Sequence, residues 1–452
     1  MCEVRPNQLI FLFLVGAVVL SCLFERFGLM LRTMTPMHVA QRTPQAKGPT
    51  GRRLESVHRR PALASRTVLV RSRSAIPRSQ FLNELQGAAT LARDHSTCDG
   101  SDPQVNLVFV KTHKTGSTTL SHIINRFGYT RGLSFAINKK SVHNGHLGYI
   151  PLGKDSPRET FLPPIGVSKY AITKFKYNLM TVHVRYDRAA IDSFMKSPTR
   201  YVTILRDPGF QFESAFSHFQ FDDAFLTQEK KVYSTATSRL ARFLDAASFY
   251  RERLKHLNWE GQKGLRWYYA KNNQMYDLGL DHTYHTDQEV VDAYIRKLEA
   301  ELDLVLITEY YDESLLLLKS MMCWDTDDVL YVAKNMRPPT SADTVPESLR
   351  ARMRKWNAVD AKLHAHFNRS LWERIERYGP AFQSDLAKFR EELESVFQSC
   401  VGDLKISSQG RFRYSNYRVR AGSGVNCTLI AESKSSLFSS IWGQQAQRRS
   451  IN

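Results

Sequence analysis

Four short apolar runs of strand type occur along the chain, at about residues 105–110, 178–184, 201–206 and 302–308. Each run is followed by helical or loop sequence, and this alternation is typical of a mainly parallel sheet flanked by helices. The pattern therefore predicts an α/β fold. Because ligands bind beyond the carboxyl ends of the strands in such folds, the residues that follow each run are the first candidates for function.

Apolar residues at helical spacing predict further helices packed on this core, from Met353 to Tyr378 and from Asp385 to Phe397. The run from Leu315 to Leu318 continues with Met321 and Met322. This run predicts a helix of the core rather than a lipid-binding stripe.

An apolar run of sixteen residues, from Leu9 to Phe24, stands near the amino terminus. A membrane-spanning helix needs about 20 residues, which the run reaches if the Glu25–Arg26 pair extends to the interface and residues up to Leu31 are included. The pattern favours a short cytoplasmic tail and an uncleaved signal anchor within residues 1–31. A cleaved signal peptide and a core helix are the alternatives.

The charge of the chain is concentrated after this run. Residues 32–80 contain eleven basic residues and one acid, so they carry +10 of the total formal charge of +19. Their Pro, Ser and Thr content and weak apolar periodicity predict a solvated stem over residues 32–104, followed by a folded domain at 105–400 and a tail at 401–452. Because the folded part is only mildly basic and has no reader motif, the sequence argues against nucleic-acid binding.

Cysteine and asparagine positions bear on the cellular compartment. After the predicted anchor the chain has an even set of cysteines: Cys98, Cys323, Cys400 and Cys427. No C-x-x-C spacing occurs, which favours disulfides over zinc; three pairings are open, and four unpaired thiols are the alternative. The sequons at Asn368 and Asn426 can carry glycans if the carboxyl-terminal side is lumenal.

The first strand-type run leads into the sequence K-T-H-K-T-G-S-T-T at residues 111–119, and apolar residues at helical spacing follow. A small-residue loop that opens a helix presents backbone N–H groups and the positive end of the helix dipole to an anion. Gly116 permits close approach, and Lys114 supplies a mobile cation. The other residues predicted to bind phosphate here are Lys111, Thr115, Ser117, Thr118 and Thr119. In a nucleotide-triphosphatase loop the lysine follows the second glycine, whereas Lys114 precedes Gly116, so a kinase-like enzyme is only a distant alternative.

A second phosphate-binding segment follows the third strand-type run. That run ends in Arg206, and a helical stretch carrying Ser214 comes after it. Arginine offers a bidentate cation and serine a hydroxyl donor, and both suit a phosphate group.

Both segments resemble sulfotransferases, in which such a loop binds the 5′-phosphosulfate of the donor and such an arginine and serine bind its 3′-phosphate. With TVHVRYD at 181–187, AKNNQMYDLGLD at 270–281 and KLHAHFNRSLW at 362–372, the chain from about Val105 to Gly379 is similar to the galactose 3-O-sulfotransferases. Residues 141–173 look longer than the family pattern, and the sequence after Cys400 matches it poorly.

This resemblance implies a P-loop-like sulfotransferase fold in a type II Golgi membrane protein with a lumenal catalytic domain. It implies transfer of sulfate from 3′-phosphoadenosine 5′-phosphosulfate (PAPS) to the 3-hydroxyl of a galactose, with no metal required. The similarity is greatest to the branch that acts on a glycolipid such as galactosylceramide, and terminal galactose of glycoprotein glycans is the alternative acceptor. A lectin-like protein that keeps the fold without the activity is a further alternative.

The resemblance also suggests catalytic roles. Lys114 matches the loop lysine that stabilises the leaving group, and Lys111 is expected to assist unless it is a solvated lysine at a strand end. His183 is the first candidate for the general base, because a neutral imidazole accepts a hydroxyl proton near neutral pH. His113, beside Lys114, is the second candidate, and Glu213 is the third, although a salt bridge is the simpler interpretation of that residue.

Three other features carry less weight. The spacing of His143 and His146 suits a metal, but nothing else converges on it, so a polar loop is favoured. The acids Asp325, Asp327 and Asp328 are typical of a helix N-terminus. A basic pair, Arg411 and Arg413, is placed late enough in the chain to reach the donor.

Overall fold

A computed structural model describes residues 78–89, 102–139, 160–168, 170–171, 174–259, 261–338, 344–409 and 412–447. The predicted anchor, most of the predicted stem, Cys98, the His143–His146 pair and Arg411 lie outside the described residues. Among the helices of the described part, none is long and apolar enough to cross a bilayer.

The centre of the fold is a parallel sheet in the order β2-β1-β3-β6. The strands of the described residues are β1 (Leu107–Val110), β2 (Leu179–Met180), β3 (Arg200–Leu205), β4 (Asn258–Trp259), β5 (Gln262–Lys263), β6 (Leu304–Ile307), β7 (Val401–Gln409) and β8 (Phe412–Val419). Val108 pairs with Tyr201, and Val202 pairs with Leu304. The four central strands coincide with the four predicted apolar runs, so the α/β prediction is confirmed. Every residue of β1 and β6 is buried, which explains why these strands are apolar on both faces.

Helices flank this sheet. They are α1 (Arg78–Ala89), α2 (Ser117–Thr130), α3 (Arg188–Asp192), α4 (Pro208–Phe219), α5 (Thr227–Val232), α6 (Ala236–Asp245), α7 (Ala247–Leu254), α8 (Leu265–Tyr269), α9 (Asn273–Asp277), α10 (Gln288–Glu301), α11 (Tyr311–Met322), α12 (Thr326–Val329), α13 (Glu347–Trp356), α14 (Ala358–Tyr378), α15 (Phe382–Cys400), α16 (Val425–Ala431) and α17 (Lys434–Gln447). Residues 315–318 of α11 are buried against the sheet, as predicted for a core helix. The helices predicted from Met353 to Phe397 are also present, as α13, α14 and α15.

Helix α1 lies inside the range predicted as a stem, and here the structure differs from an extended segment. Its Leu82 and Leu85 are buried, and the ring of Phe81 stacks on Tyr284 at 4.7 Å. The Arg78 guanidinium forms an ion pair with Asp287, just before α10. Three apolar residues on one helix face were enough to attach this segment to the domain, which an average composition over 32–104 does not reveal.

The tail at 401–447 is folded onto the rest of the domain. Strands β7 and β8 form an antiparallel hairpin, and Ser415 of β8 exchanges backbone hydrogen bonds of 2.8 and 2.9 Å with Met336. A disulfide joins Cys400 to Cys427, which identifies one pair among the pairings left open by the sequence. Cys323 is also disulfide-bonded. Helix α17 packs against α2, and the side-chain amide of its Gln445 bonds both backbone groups of Phe135.

Candidate active site

A cavity of about 1190 Å³ lies at the carboxyl ends of the central strands. Each of the four strands is followed by a lining residue: His113 after β1, His183 after β2, Arg206 after β3 and Thr308 after β6. The volume exceeds the roughly 300–1,000 Å³ of a typical small-molecule pocket. The cavity is therefore large enough for two substrates side by side.

The loop between β1 and α2 forms an anion cradle at one wall of this cavity. Lys114 and Gly116 both have positive φ, 65° and 75°, so the chain curls and turns successive N–H groups to one side. Helix α2 begins directly after Gly116, whose carbonyl oxygen accepts from the Thr119 N–H at 3.1 Å, and the first N–H groups of a helix are the ones that can bind an external acceptor. This geometry is the one that the sequence predicts for a phosphate-binding loop.

The hydroxyl-bearing residues of the loop are not all exposed to the cavity. Ser117, Thr118 and Thr119 line the cavity, whereas Thr115 is fully buried outside its lining and donates to the Thr112 carbonyl at 3.3 Å. Ser117 Oγ also donates to the Thr112 carbonyl, at 2.8 Å. Thr115 and Ser117 therefore hold the shape of the cradle by these bonds.

Two lysines of the loop have different environments. Lys114 lines the cavity, and its pKa is lowered to about 7 by burial and by the charges of Arg206 and Arg337. Lys111 is 3% exposed and is not a lining residue, and burial lowers its pKa well below the usual value. A role for Lys114 at the ligand agrees with this placement, while the direct assistance expected of Lys111 does not.

Arg206 and Ser214 meet at the same cavity, as the resemblance implies. Gln274 bonds both backbone groups of Arg206 at 2.8 Å, and Arg206 Nη1 donates to the Lys114 carbonyl at 3.3 Å. Burial lowers the pKa of Arg206, although the guanidinium stays charged. The arginine is thus fixed against the cradle, with Ser214 further along α4.

Glu213 is neutralised by two arginines. Its carboxylate forms ion pairs with Arg337 and, at 3.1 Å, with Arg350. Glu213 is 4% exposed. The carboxylate is held between two guanidinium groups, so the salt-bridge interpretation of Glu213 is confirmed.

The two candidate histidines form one stack. The rings of His113 and His183 are nearly parallel, with centroids 4.0 Å apart. His113 Nδ1 lies 2.9 Å from Asp277 Oδ2, and His183 Nδ1 lies 3.0 Å from the Lys111 carbonyl oxygen. Both oxygens only accept hydrogen bonds, so each Nδ1 carries the proton and each Nε2 keeps its lone pair in the neutral imidazole.

The electrostatic environments of His113 and His183 differ. Burial lowers the pKa of His183 well below its usual value, with further lowering by the charges of His113, Lys111 and Lys434. His183 is therefore neutral but weakly basic. His113 instead has the carboxylate of Asp277, which is 1% exposed, against its Nδ1. That carboxylate stabilises the imidazolium that forms when Nε2 accepts a proton.

Aromatic rings continue from the histidines along the cavity. Tyr269 lies 4.4 Å from the His113 ring, Phe219 lies 4.7 Å from Tyr269, and Trp259 lies 5.3 Å from Phe219. All three line the cavity. Phe219 and Tyr269 are buried and Trp259 is partly exposed, so this aromatic side differs in kind from the basic side formed by the cradle and Arg206.

Several residues of the site were not predicted. Asp277 and Gln274 lie in the AKNNQMYDLGLD stretch, which carries the resemblance but suggested no role for either. The tail contributes Lys405, Arg418 and Lys434 to the cavity lining, with Arg413 at the position that the sequence singled out. The sequence feature that could have indicated a role of the tail at the cavity is its density of basic residues.

The remaining sequence features have structural explanations. Asp325 and Asp328 form a capping box at the start of α12, as expected of a helix N-terminus. Within the described ranges, no group of three or more His, Cys, Asp or Glu is placed to hold a metal ion. Asn426 is exposed at the start of α16, whereas Asn368 is partly buried in the middle of α14.

Comparison with known proteins places this site in a family. The family model described as Galactose-3-O-sulfotransferase matches residues 42–418. Galactose-3-O-sulfotransferase 3 of Mus musculus is 33% identical over 302 residues, which are 66% of this chain and 63% of that protein. Galactosylceramide sulfotransferase of Bos taurus is 30% identical over 312 residues, 68% of this chain and 66% of that protein. The chain thus spans slightly less than two thirds of the length of these two relatives.

A third relative is matched over a larger share of its length. Galactose-3-O-sulfotransferase 2 of Homo sapiens is 32% identical over 311 residues, 67% of this chain and 69% of that protein. The matched range of the family model includes the cradle, Arg206, both histidines and Asp277, and it ends before Lys434. The chain belongs to the galactose-3-O-sulfotransferase family.

Proposed function

We propose that this protein transfers sulfate from PAPS to the 3-hydroxyl of a terminal galactose, on a glycolipid such as galactosylceramide. The observation that carries the proposal is the convergence on one cavity of the anion cradle around Gly116, the Arg206–Ser214 pair and the His113–Asp277 pair. A donor grip, a cation at the leaving group and an oriented base are the three requirements of sulfuryl transfer.

The residues of the basic side fit the donor. The curled loop with positive φ at Lys114 and Gly116 offers N–H groups to a 5′-phosphosulfate, and Arg206 and Ser214 offer a guanidinium and a hydroxyl to a 3′-phosphate. PAPS supplies an activated sulfuryl group whose bond to the 5′-phosphate oxygen breaks as the bond to the acceptor oxygen forms. Lys114 then stabilises the negative charge that develops on the departing phosphate oxygen.

His113 is the proposed base, ahead of the sequence-based first choice, His183. Asp277 fixes the His113 tautomer that leaves Nε2 as the proton acceptor and stabilises the resulting imidazolium. His183 is held neutral and weakly basic by burial, so its proposed role is to support the His113 ring by stacking. His113 thus takes the proton of the galactose hydroxyl, and Lys114 balances charge on the other side of the transferred group.

The aromatic side of the cavity is the proposed acceptor site. Phe219, Tyr269 and Trp259 extend from the base toward the β4–β5 hairpin, and the partly exposed ring of Trp259 suits the apolar face of galactose. The name of the bovine relative, galactosylceramide sulfotransferase, supports the choice of a glycolipid. Galactose on glycoprotein glycans is the alternative acceptor, and a direct comparison of acceptors separates the two.

The proposed location is the Golgi membrane, with residues 1–31 as the anchor and the catalytic domain in the lumen. The apolar run from Leu9 to Phe24 supports an anchor. The Cys400–Cys427 disulfide supports an oxidising compartment, and the exposed Asn426 side chain is accessible for glycosylation. A mobility shift on deglycosylation that is lost in Asn426→Gln would support lumenal exposure of this side.

The experiment that tests the function is sulfate transfer from radiolabelled PAPS by the full-length chain in detergent. Galactosylceramide, lactosylceramide and a terminal-galactose glycan are offered side by side, with Lys114→Ala as the inactive control. Preference for the lipids supports the whole proposal, and preference for the glycan keeps the reaction and changes the acceptor. Binding of PAPS without transfer to any galactose acceptor would overturn the proposed reaction.

A further inference from the structure

Lys434 is a cavity-lining residue that the family match does not include. It is the first residue of α17, it lies beyond residue 418, where the match ends, and it lines the same cavity as Lys114 and His183. Its neighbours Ser433 and Ser435 are also lining residues. The carboxyl-terminal segment therefore places a cation and two hydroxyl-bearing residues at the proposed active site.

The chain leading to Lys434 is held firmly in position. Lys334 Nζ donates to the carbonyl oxygens of Ile430 and Ala431, at 3.1 and 2.8 Å. The ring of His122, on the helix that opens at the cradle, donates through Nε2 to the Leu429 carbonyl at 2.9 Å. These bonds satisfy the last carbonyl groups of α16 and tie the turn before Lys434 to the cradle helix.

Two sets of cations act on different groups of the site. Arg206 and Arg337 are the charges that act on Lys114, on the side proposed to bind the donor phosphates. Lys434 acts instead on His183 and Lys111, and burial lowers its own pKa only to about 8, so it is mostly protonated at neutral pH. Because His183 stacks on His113, Lys434 is near the place where the acceptor hydroxyl loses its proton.

A cation at that place has a specific use in sulfuryl transfer. The transferred group carries negative charge on its outer oxygens, and the base and the leaving group occupy opposite sides of it. A lysine beside the base is placed to contact those outer oxygens, whereas Lys114 is proposed to serve the leaving oxygen. This division matches the two sets of cations that act on Lys114 and on His183.

We propose that Lys434 is a further catalytic residue, whose ammonium group binds the outer oxygens of the sulfuryl group of PAPS. The inference rests on the proposed function, because it takes PAPS as the donor. It differs from the phosphate-binding roles of Lys114, Arg206 and Ser214 in one testable respect. Lys434 distinguishes PAPS from 3′-phosphoadenosine 5′-phosphate (PAP), which has the same phosphates and lacks the sulfuryl group.

The test is isothermal titration calorimetry of the full-length chain with PAPS and with PAP, in the absence of acceptor. Lys434→Met is expected to raise the Kd for PAPS about tenfold, the usual effect of losing one charge-assisted hydrogen bond, and to change the Kd for PAP by less than about twofold. Lys434→Arg, which keeps the charge, is expected to bind PAPS more tightly than Lys434→Met. Lys388→Met, at an exposed position of α15 outside the cavity lining, is the matched control.

Thermal unfolding accompanies each variant. If Lys434→Met lowers the Tm, the Kd values for PAPS and PAP are compared in Lys434→Gln instead. This variant keeps a polar side chain of similar length without the charge. Equal weakening of PAPS and PAP, or no change in either, would overturn the role of Lys434 while leaving the proposed function intact. Wild-type protein that binds neither nucleotide would overturn the proposed function itself.

Discussion

Asp277 binds His113 at two points, accepting from its backbone N–H at 2.8 Å and from its ring Nδ1 at 2.9 Å. The carboxylate is itself positioned by the side-chain amide of Asn273 at 3.2 Å. Gln211 donates to the His113 carbonyl at 2.9 Å. The loop backbone and the imidazole are thus held as one unit, with Nε2 as the ring atom left to accept a proton.

Asp277→Asn is expected to change the hydrogen bonding of the His113 ring while keeping a side chain of the same size at position 277. The amide satisfies the His113 backbone N–H with its oxygen and turns its NH₂ toward Nδ1, which moves the ring proton to Nε2. The base is then in the wrong tautomer, and kcat should fall by about 10²-fold or more. The measurement is kcat for sulfate transfer, with the Kd for PAP as a check that the donor site is intact.

Comparison with the histidine variants makes this result specific. His113→Ala should lower kcat by a similar factor, and the double variant with Asp277→Asn should be little worse than either alone, because the two residues act together. His183→Ala should cost less. A larger loss in His183→Ala than in His113→Ala would instead make His183 the base.

The contrast between Asp277 and Lys114 shows what the sequence alone can predict. Lys114, Gly116 and Ser117 lie within four residues that follow a buried strand, so the local sequence predicts the geometry of the cradle. Asp277 lies 164 residues after His113 and meets it only through tertiary packing. The four strands of the sheet could likewise be predicted because apolar runs reflect burial, which is a local property of the sequence.

The tail shows which part of the structure the sequence alone does not predict. Its β7–β8 hairpin mixes charged and polar residues with apolar ones on a partly exposed surface, so no apolar run marks it as part of the domain. Its attachment depends on contacts over long separations: the buried Leu437, Phe438 and Ile441 pack into the core, and Gln445 bonds Phe135. The place of Lys434 in the cavity follows from those contacts, and a single sequence does not contain them.

The lowered pKa of Lys114, about 7, predicts that donor binding depends on pH. Below pH 7 the free enzyme carries the charged ammonium, and above it the charge is lost, so the Kd for PAPS should rise as the pH increases from 7 to 9. The anionic donor stabilises the charged form, and binding at pH 8 should therefore take up protons. Calorimetry in two buffers of different ionisation enthalpy measures that uptake.

Lys114→Met should reduce the proton uptake, and Lys434 contributes the part that remains, because its pKa is about 8. Proton uptake measured in Lys114→Met, in Lys434→Met and in the double variant separates the contributions of the two lysines. Unchanged uptake in Lys114→Met would show that the charge of Lys114 is not linked to the donor.

Ser214→Ala should raise the KM for PAPS more than it lowers kcat. The hydroxyl is proposed to contact the 3′-phosphate, which is remote from the transferred group and is bound equally in the ground and transition states. Ser217→Ala is the matched control, because the Ser217 hydroxyl already donates to the Glu213 carbonyl within the helix, at 3.3 Å. Equal donor KM values for the two variants would argue against a 3′-phosphate contact at Ser214.

Trp259→Ala should weaken the acceptor without affecting the donor. The indole lies at the far end of the aromatic series that begins at His113, and it is proposed to stack on the sugar; the loss of such a contact costs about 1 kcal/mol, a several-fold rise in acceptor KM. The Kd for PAP should stay unchanged. Trp372→Ala, at an exposed tryptophan outside the cavity lining, controls for the loss of an indole, and an equal effect of both variants would contradict the acceptor role.

The Cys400–Cys427 disulfide should make a large contribution to the stability of the tail. It closes a loop with a sequence separation of 27 that contains the hairpin, and on the chain-entropy argument such a loop is worth about 3–4 kcal/mol of the free energy of unfolding. Cys427→Ser leaves the Asn426-x-Thr428 sequon intact. Chemical unfolding at fixed pH measures the loss, and Cys400→Ser and the double variant should lose nearly the same amount, since each removes the same bond. A double variant that loses the sum of the two single losses would show that the cysteines contribute by separate packing.

The turn before Lys434 is anchored by the helix that carries Cys427. Loosening of the tail in Cys427→Ser should therefore also raise the Kd for PAPS more than the Kd for PAP. The stability and binding results together test whether the tail is part of the active site.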